Sequence, residues 1–317
     1  GELVATSPET GADGYTYFDC DVPIRGEYYG SSIRKDATTN SGNYIVKELR
    51  APLGYYVNEE PMEVTFTYDG QAVMVLDNTC SNKPTEMWVS KRDLTNDEEL
   101  PGATLAIKDM DGNTVTTWVS TDEPHRVTGL HFGESYTLTE IRAADGYALA
   151  DDITFRLIQK TDEGGNPLEE CEVYYLTTKN ILFWKWDDWK LLDDATVIMQ
   201  DDTIKVQISK KDLTTKEELP GAELTLTDEK GNEIDRWVST DAPHYMERLP
   251  AGKYTLTEVA APDGYAIAER VEFEVLPTGE VQTFEMFDDT IKVKISKVDI
   301  TTNEELPGAE LVIKDKD

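Results

Sequence analysis

Three kinds of ionisable residue fall where strand alternation calls for apolar ones. Lys91 follows Met87 and Val89 at period two, Lys210 follows Val206 and Ile208, and Lys297 follows Val293 and Ile295. Glu140 and Glu258 end the apolar faces begun by Tyr136, Leu138 and by Tyr254, Leu256. Asp201 follows Val197 and Met199, and Asp288 follows Phe284 and Met286. Period two places such residues on one face of a strand, so a Lys, a Glu and an Asp are directed into one small core, where isolated charges are costly. Two arrangements answer that cost. The residues can sit at strand ends, reaching water or forming an ion pair. Alternatively they can react. A desolvated lysine loses its proton readily and its neutral amine is a nucleophile, while a buried glutamic acid can hold a proton and polarise the Asp carboxyl. Attack of the amine on the Asp side-chain carbonyl, with loss of water and uptake of one proton from solvent, leaves an amide and a neutral acid in place of three charges. No cofactor is needed, only proximity imposed by the fold.

The elements that must position these residues are repeated along the chain, and internal repeats govern the reading of the whole fold. The segment from Ser90-Lys91-Arg92-Asp93-Leu94 to Leu100-Pro101-Gly102-Ala103 returns from Ser209-Lys210-Lys211-Asp212-Leu213 to Leu219-Pro220-Gly221-Ala222. It returns again from Ser296-Lys297-Val298-Asp299-Ile300 to Leu306-Pro307-Gly308-Ala309. Trp118-Val119-Ser120-Thr121-Asp122 matches Trp237-Val238-Ser239-Thr240-Asp241, and Tyr136 to Glu140 with Asp145-Gly146-Tyr147 matches Tyr254 to Glu258 with Asp263-Gly264-Tyr265. A looser copy runs from Tyr44 to Glu48 and on through Ala51-Pro52-Leu53-Gly54-Tyr55. The resulting division is 1–84, incomplete or divergent; 85–203, with an aromatic-rich insertion near 160–192; 204–290; and 291–317, the opening strands of a further repeat. Such a chain reads as a piece of a longer array. Short alternating runs separated by turns such as Asp111-Gly112-Asn113 and Lys230-Gly231-Asn232 predict an all-β tandem array of small antiparallel β-sandwiches.

Composition narrows the partners. Across 317 residues, 63 Asp and Glu against 30 Lys and Arg give a net charge of −33, a field that repels nucleic-acid phosphates and anionic membranes. No apolar run reaches the length of a spanning helix, and the first residues lack the pattern of a signal peptide. Three cysteines, Cys20, Cys80 and Cys171, fit no metal spacing. Cys20 and Cys80 can pair or remain isolated buried thiols, and Cys171 has no obvious partner. Asp109 to Asn113 lacks the terminal Glu of a calcium loop and reads as a hairpin. His125, His131 and His244 are too scattered for a metal site or triad, although the first and last are equivalent positions. No metal or cofactor is called for.

The combination Lys-x-Asp, Leu-Pro-Gly-Ala, Tyr-x-Leu-x-Glu and Gly-Tyr resembles the Cna protein B-type domains, also called SpaA-like or prealbumin-like, of Gram-positive surface adhesins and pilins. The resemblance covers nearly the whole chain. It implies an Ig-like or prealbumin-like fold and an intramolecular isopeptide bond between a first-strand Lys and a last-strand Asn or Asp, assisted by the Glu. Carried over, the third repeat uses Lys210, Glu258 and Asp288, and the second Lys91, Glu140 and Asp201. Asp here replaces the commoner Asn and releases water instead of ammonia. Asp202 and Asp289 are adjacent alternatives on the opposite strand face. In the first repeat Glu48 holds the assisting position and Asn82 the acceptor position, while its Lys is not apparent. Lys297 of one chain could complete the first repeat of another by joining Asn82. Glu258 lies 48 residues past Lys210 and Glu140 lies 49 past Lys91, but Asp288 follows Glu258 by 30 and Asp201 follows Glu140 by 61. The difference is the insertion, whose Phe183, Trp184, Trp186 and Trp189 form either a ligand surface or an extra hairpin packed on its own sandwich or on the next one.

The function expected from this reading is a structural stalk segment of a cell-surface adhesin or pilus-like protein, extracellular and wall-anchored in the parent protein, and not an enzyme on external substrates. Its partners are neighbouring domains of the same longer chain. The alternative is a ligand-binding adhesin module that uses the aromatic insertion to contact a host or glycan ligand.

Overall fold

The computed structural model describes residues 3–18, 43–65, 78–181 and 184–315. Among the described residues the regular secondary structure is almost entirely β-strand, with one short 3-10 turn at Asp193–Ala195. The chain gathers into two compact units, one formed by residues 1–92, 98–141 and 151–200, the other by 93–97, 142–150 and 201–317.

In the first unit, β1 (Asn43–Val46) and β2 (Met62–Thr65) form a two-stranded antiparallel sheet. There follow β3 (Glu86–Asp93), β4 (Thr104–Lys108), β5 (Thr114–Val119), β6 (His125–Thr128), β7 (Ser135–Arg142), β8 (Ile153–Thr161), β9 (Pro167–Ile181), β10 (Trp184–Leu191) and β11 (Thr196–Asp201). They build a six-stranded sheet in the order β10-β9-β8-β7-β4-β5 and a three-stranded sheet in the order β11-β3-β6. The alternation that marked these segments as strands is the alternation of burial. Met87 and Val89 on β3, Leu105 and Ile107 on β4, Leu138 on β7 and Phe155 and Leu157 on β8 are all essentially inaccessible.

The insertion of the second repeat is a long hairpin. β9 and β10 pair antiparallel from Trp184 opposite Ile181 to Leu191 opposite Tyr174, extending the sheet beyond β8. It packs on its own sandwich: Val173 is fully buried, and Arg156 of β8 lies 4.3 Å from the Trp189 ring and 5.8 Å from that of Tyr174. Phe183 lies outside the described residues. The hairpin between β4 and β5 is a turn in which Asp109 Oδ1 accepts the Asp111 and Asn113 N–H groups, as expected for that segment. Asp162 and Asp228 close equivalent turns onto Asn166 and Asn232.

The cysteines need one correction. Cys80 is a free, exposed thiol instead of a buried one; it lies on an extended stretch before β3, with the Asn58 amide 3.6 Å from its sulfur. Cys20 lies outside the described residues. Cys171 is buried and free, its thiol donating to the Glu86 carbonyl at 3.1 Å.

The second unit contains β12 (Lys205–Asp212), β13 (Glu223–Asp228), β14 (Glu233–Val238), β15 (His244–Glu247), β16 (Gly252–Ala260), β17 (Val271–Val275) and β18 (Val281–Asp288). A three-stranded sheet, β15-β12-β18, faces a four-stranded one, β14-β13-β16-β17. Between them lie Ile204, Val206, Ile208, Leu224, Leu226, Leu256 and Met286, with Phe273 and Phe284 stacked at 3.9 Å against that core. Burying side chains of this size contributes roughly 1.5–3 kcal/mol each. β12 and β18 run parallel, with Lys210 opposite Met286 and Asp212 opposite Asp288. The first and last strands of the repeat are therefore neighbours, although 78 residues separate Lys210 from Asp288.

Candidate functional site

In the third repeat the sheets bring three ionisable groups to one end of the core. Lys210 lies on β12 directly after Val206 and Ile208 on the inward face, and Asp288 ends the inward face of β18 after Met286. Glu258 projects from β16 in the opposing sheet, next to the inward-facing Tyr254 and Leu256. The lysine Nζ lies 3.0 Å from Glu258 Oε1 and donates to Asp288 Oδ1. The three side chains are 1%, 0% and 0% exposed. The lysine does not snorkel, and its stem and tip are both within the core. The other Glu258 oxygen accepts the Ala268 N–H at 2.6 Å. Burial pushes the Asp288 carboxyl up to about 6; Lys210 opposes the rise and Glu258 adds to it. A lysine amine, a glutamate able to carry a proton and a carboxyl whose acid form is favoured by burial are the groups that amide formation requires.

In the second repeat Lys91 Nζ and Glu140 Oε1 lie 3.1 Å apart, with side chains 1% and 0% exposed. Asp201 ends β11, the strand beside β3, and is also buried. Its carbonyl accepts the Leu94 N–H at 2.9 Å, as the Asp288 carbonyl accepts that of Leu213 at 2.8 Å. The adjacent aspartates are turned away, with Asp202 paired to Lys205 and Asp289 to Lys292.

The first repeat holds a partial version. Asn82 Nδ2 donates to Glu48 Oε2 at 2.5 Å and to the Tyr56 carbonyl at 2.9 Å, while the Asn58 N–H donates to the same Glu48 oxygen at 2.6 Å. Both Glu48 and Asn82 are half-buried. Lys297 is exposed.

Sequence reasoning assigned no role to Asp93 and Asp212, the second member of each Lys-x-Asp. Both are buried. Asp212 Oδ1 accepts the Thr214 and Thr215 N–H groups, and its Oδ2 accepts the Tyr265 hydroxyl at 2.7 Å. Asp93 Oδ1 accepts the Thr95 N–H, while Oδ2 accepts from the Tyr147 hydroxyl at 2.7 Å and from Arg248 at 2.9 Å. The Thr215 N–H and the Tyr265 hydroxyl hold the Asp212 carboxyl below its ordinary value. Burial alone would raise Asp93, yet hydrogen bonds from Tyr147 and Thr95 and the charge of Arg248 hold it low. The signal available in the sequence was period two, which puts this Asp on the same face as the Lys. His125 and His244 stack on Trp118 and Trp237 at 4.3 and 4.2 Å, equivalent packing roles in the two repeats.

Among the described residues no cluster of His, Cys, Asp or Glu could hold a metal ion, and no helix is long and apolar enough to cross a membrane. No curated protein sequence matches this one. Among solved structures, the Bacillus anthracis TIE protein is 25% identical, with 78% of this chain and 42% of that one covered and a TM-score of 0.39. This chain thus spans less than half of that protein. The C-terminal fragment of the pilus adhesin SpaC from Lactobacillus rhamnosus GG is 17% identical, covering 67% of this chain and 99% of that one at a TM-score of 0.35. The shaft pilin SpaA of the same organism is 14% identical, with 67% and 99% covered and a TM-score of 0.27. A family model described as SpaA, a prealbumin-like fold domain, matches residues 85–164 and 204–290, more than half of the chain and both repeats that carry a buried lysine–glutamate pair. The chain belongs to the SpaA family of prealbumin-like fold domains.

Proposed function

We propose that this chain is a structural stalk segment of an extracellular adhesin or pilus-like protein of a Gram-positive bacterium, stiffened by self-formed Lys–Asp isopeptide bonds. The bonds join Lys210 to Asp288 and Lys91 to Asp201. The observation that carries the reading is the enclosure of Lys210, Glu258 and Asp288 together, at hydrogen-bonding range and away from water. Membership of the family supports it.

The chemistry follows from the contacts. Glu258 takes a proton from the Lys210 ammonium across their 3.0 Å contact. The neutral amine attacks Cγ of the protonated Asp288, and the nitrogen gives up a second proton to the departing hydroxyl. Water leaves, the C–N bond remains, and Glu258 ends as a neutral acid. Holding amine and carboxyl in contact supplies on the order of 7–11 kcal/mol of the barrier that free reactants would face. Because the linked strands are the first and last of the repeat, a pull on the two ends is borne by a covalent bond instead of by the β12–β18 ladder. Neighbouring repeats of a longer chain are the partners this role requires. The negative surface keeps such an array apart from like-charged surfaces.

Intact mass in denaturant tests the proposal. The chain is expected to be two waters lighter than its sequence, one for each complete repeat, and Glu258→Ala to be one water lighter. A full-length mass equal to that of the sequence would end the isopeptide reading.

The engagement of Trp189 by Arg156 and the burial of Val173 support a packing role for the β9–β10 hairpin. A host or glycan ligand is therefore not part of this proposal.

A further inference from the structure

We propose that Tyr265 and Tyr147 are positioning residues for crosslink formation, each clamping the lysine strand to the loop that follows the glutamate strand. The inference rests on the isopeptide reading above.

The problem these loops solve is geometric. Lys210 and Asp288 come from one sheet and Glu258 from the other. Hydrogen-bond ladders align strands within a sheet but do not fix one sheet against the other. Between two sheets the core packing sets separation well and sliding poorly, whereas amide formation is sensitive to displacements of about 1 Å, which can cost roughly 100-fold in rate.

The loop after β16 touches all three strands that carry reactants. Its Tyr265 hydroxyl donates to Asp212, two residues beyond Lys210 on the same strand face, at 2.7 Å. Its Ala266 N–H donates to the carbonyl of Asp289, the residue after Asp288, at 3.0 Å. Its Ala268 N–H holds the Glu258 carboxylate at 2.6 Å. Gly264, at φ +87, makes the turn that allows the following residues to aim in these directions. Asp212 is in turn fixed by two backbone N–H groups on its other oxygen, so the tyrosine grips an immobile partner.

The arrangement is not peculiar to one repeat. In the second, the Tyr147 hydroxyl donates to Asp93 at 2.7 Å and the Ala148 N–H to the Asp202 carbonyl at 2.9 Å. In the first, the Asn58 N–H holds Glu48 at 2.6 Å and the Tyr56 N–H meets the carbonyl of Lys83, the residue after Asn82, at 2.9 Å. Core packing alone would not require a buried carboxylate beside the lysine with a dedicated hydroxyl donor. Alignment of the reacting strands does.

The test follows water loss with time in the full chain, synthesised cell-free and quenched in denaturant at intervals, with proteolytic fragments locating each crosslink. Tyr265→Phe keeps the ring and removes only the hydroxyl. It is expected to slow crosslinking of the third repeat about tenfold to 100-fold, as the loss of one hydrogen bond to a charged group implies. The second repeat should react at its usual rate, and Tyr147→Phe should reverse the pattern. Asp212→Ala should be as slow as Tyr265→Phe, and the double variant no slower than either alone. Asp212→Asn should recover most of the rate, because its amide can donate to the Tyr265 oxygen and keep the clamp.

Circular dichroism at the assay temperature, in a Glu258→Ala background that cannot crosslink, must show Tyr265→Phe fully folded. That separates alignment from simple loss of structure. A wild-type rate in folded Tyr265→Phe, or slowing that multiplies in the double variant, would overturn the clamp. A wild-type chain that never loses water would instead overturn the isopeptide reading itself.

Discussion

The first and third repeats aim a glutamate in the same way and enclose it differently. Glu48 accepts the N–H of the residue ten positions later at 2.6 Å, and Glu258 does the same. Each stands beside a residue at the acceptor position, Asn82 in one and Asp288 in the other. Yet Glu258 and Asp288 have no side-chain exposure, whereas Glu48 and Asn82 are half-open to solvent. The backbone device that orients the glutamate is thus separable from the core that desolvates it. Orientation alone leaves a polar cluster that water can satisfy. Orientation with enclosure leaves charges that condensation relieves, since burying even a paired set of ions costs several kcal/mol.

The largest way to break this contrast is to remove the third-repeat lysine. Lys210→Ala is expected to restore one water to the intact mass and to destabilise its compact unit severely. A crosslink closing a loop of 78 residues is worth about 4–5 kcal/mol in chain entropy by analogy with disulfides. The variant also leaves Glu258 and Asp288 buried without their cation, which adds to the loss. Differential scanning calorimetry of the full chain should show the transition of the third repeat falling by tens of degrees while that of the second stays in place. An unchanged transition would mean that the enclosed site carries no covalent bond.

Next in size is the pH dependence of the reaction. Asp288 is raised to about 6 by burial, and only its neutral acid is a good acyl acceptor. For a carboxyl raised on folding, the stabilising contribution is complete below its unfolded value and disappears as pH rises through the folded one. Before crosslinking, the third repeat should therefore lose stability as pH rises through about 6, and its rate of water loss should fall over the same interval. Asp212 and Asp93 have the opposite sign. Both are held low, so their contribution is present above the unfolded value and lost as pH falls through the folded one. Stopped crosslinking followed by mass from pH 4 to 9 in unit steps would read the Asp288 limb, and a rate that keeps rising past pH 8 would contradict it.

Much of this site was legible in the sequence because two independent regularities coincide. Period two assigned Lys210, Glu258 and Asp288 to inward faces, and the repeats showed that the assignment was no accident of one strand. The hairpin at Asp109 was legible for a similar reason, since it recurs at Asp228, whereas the insertion occurs in one repeat only and the sequence left its hairpin and ligand-surface readings open. What alternation could not give was depth. Lys210 and Lys297 follow the same apolar pattern, yet Lys210 lies on a strand paired on both sides, by β15 and β18, and is enclosed, whereas residues 291–297, expected to open a further repeat, form no strand and Lys297 is exposed. Cys80 departs from expectation for a different reason: burial is the tendency of an isolated cysteine as a residue type, and this one sits exposed in a polar segment. The clamp was hidden for another reason: Tyr265 and Asp212 are 53 residues apart, and no local pattern links a hydroxyl to a carboxylate at that separation.

The smallest expected effect sharpens the contrast from the other side. Glu48→Ala removes the acceptor for both Asn58 N–H and Asn82 Nδ2 in a half-exposed setting, where water replaces each bond, so a loss of about 1 kcal/mol or less is expected in the melting of the first repeat. The intact mass should remain two waters short, as in the unmodified chain, because a half-open pair gives condensation no desolvation cost to relieve. The opposite outcome is specific. If Lys297 of one copy joins Asn82 of another, the product is a denaturant-resistant multimer lighter by one ammonia per link. Glu48→Ala and Lys297→Ala would each abolish it. Concentrating the chain before denaturing electrophoresis distinguishes the two: a ladder that disappears in both variants would show that orientation suffices without enclosure, and a single monomer band in all three would show that enclosure decides.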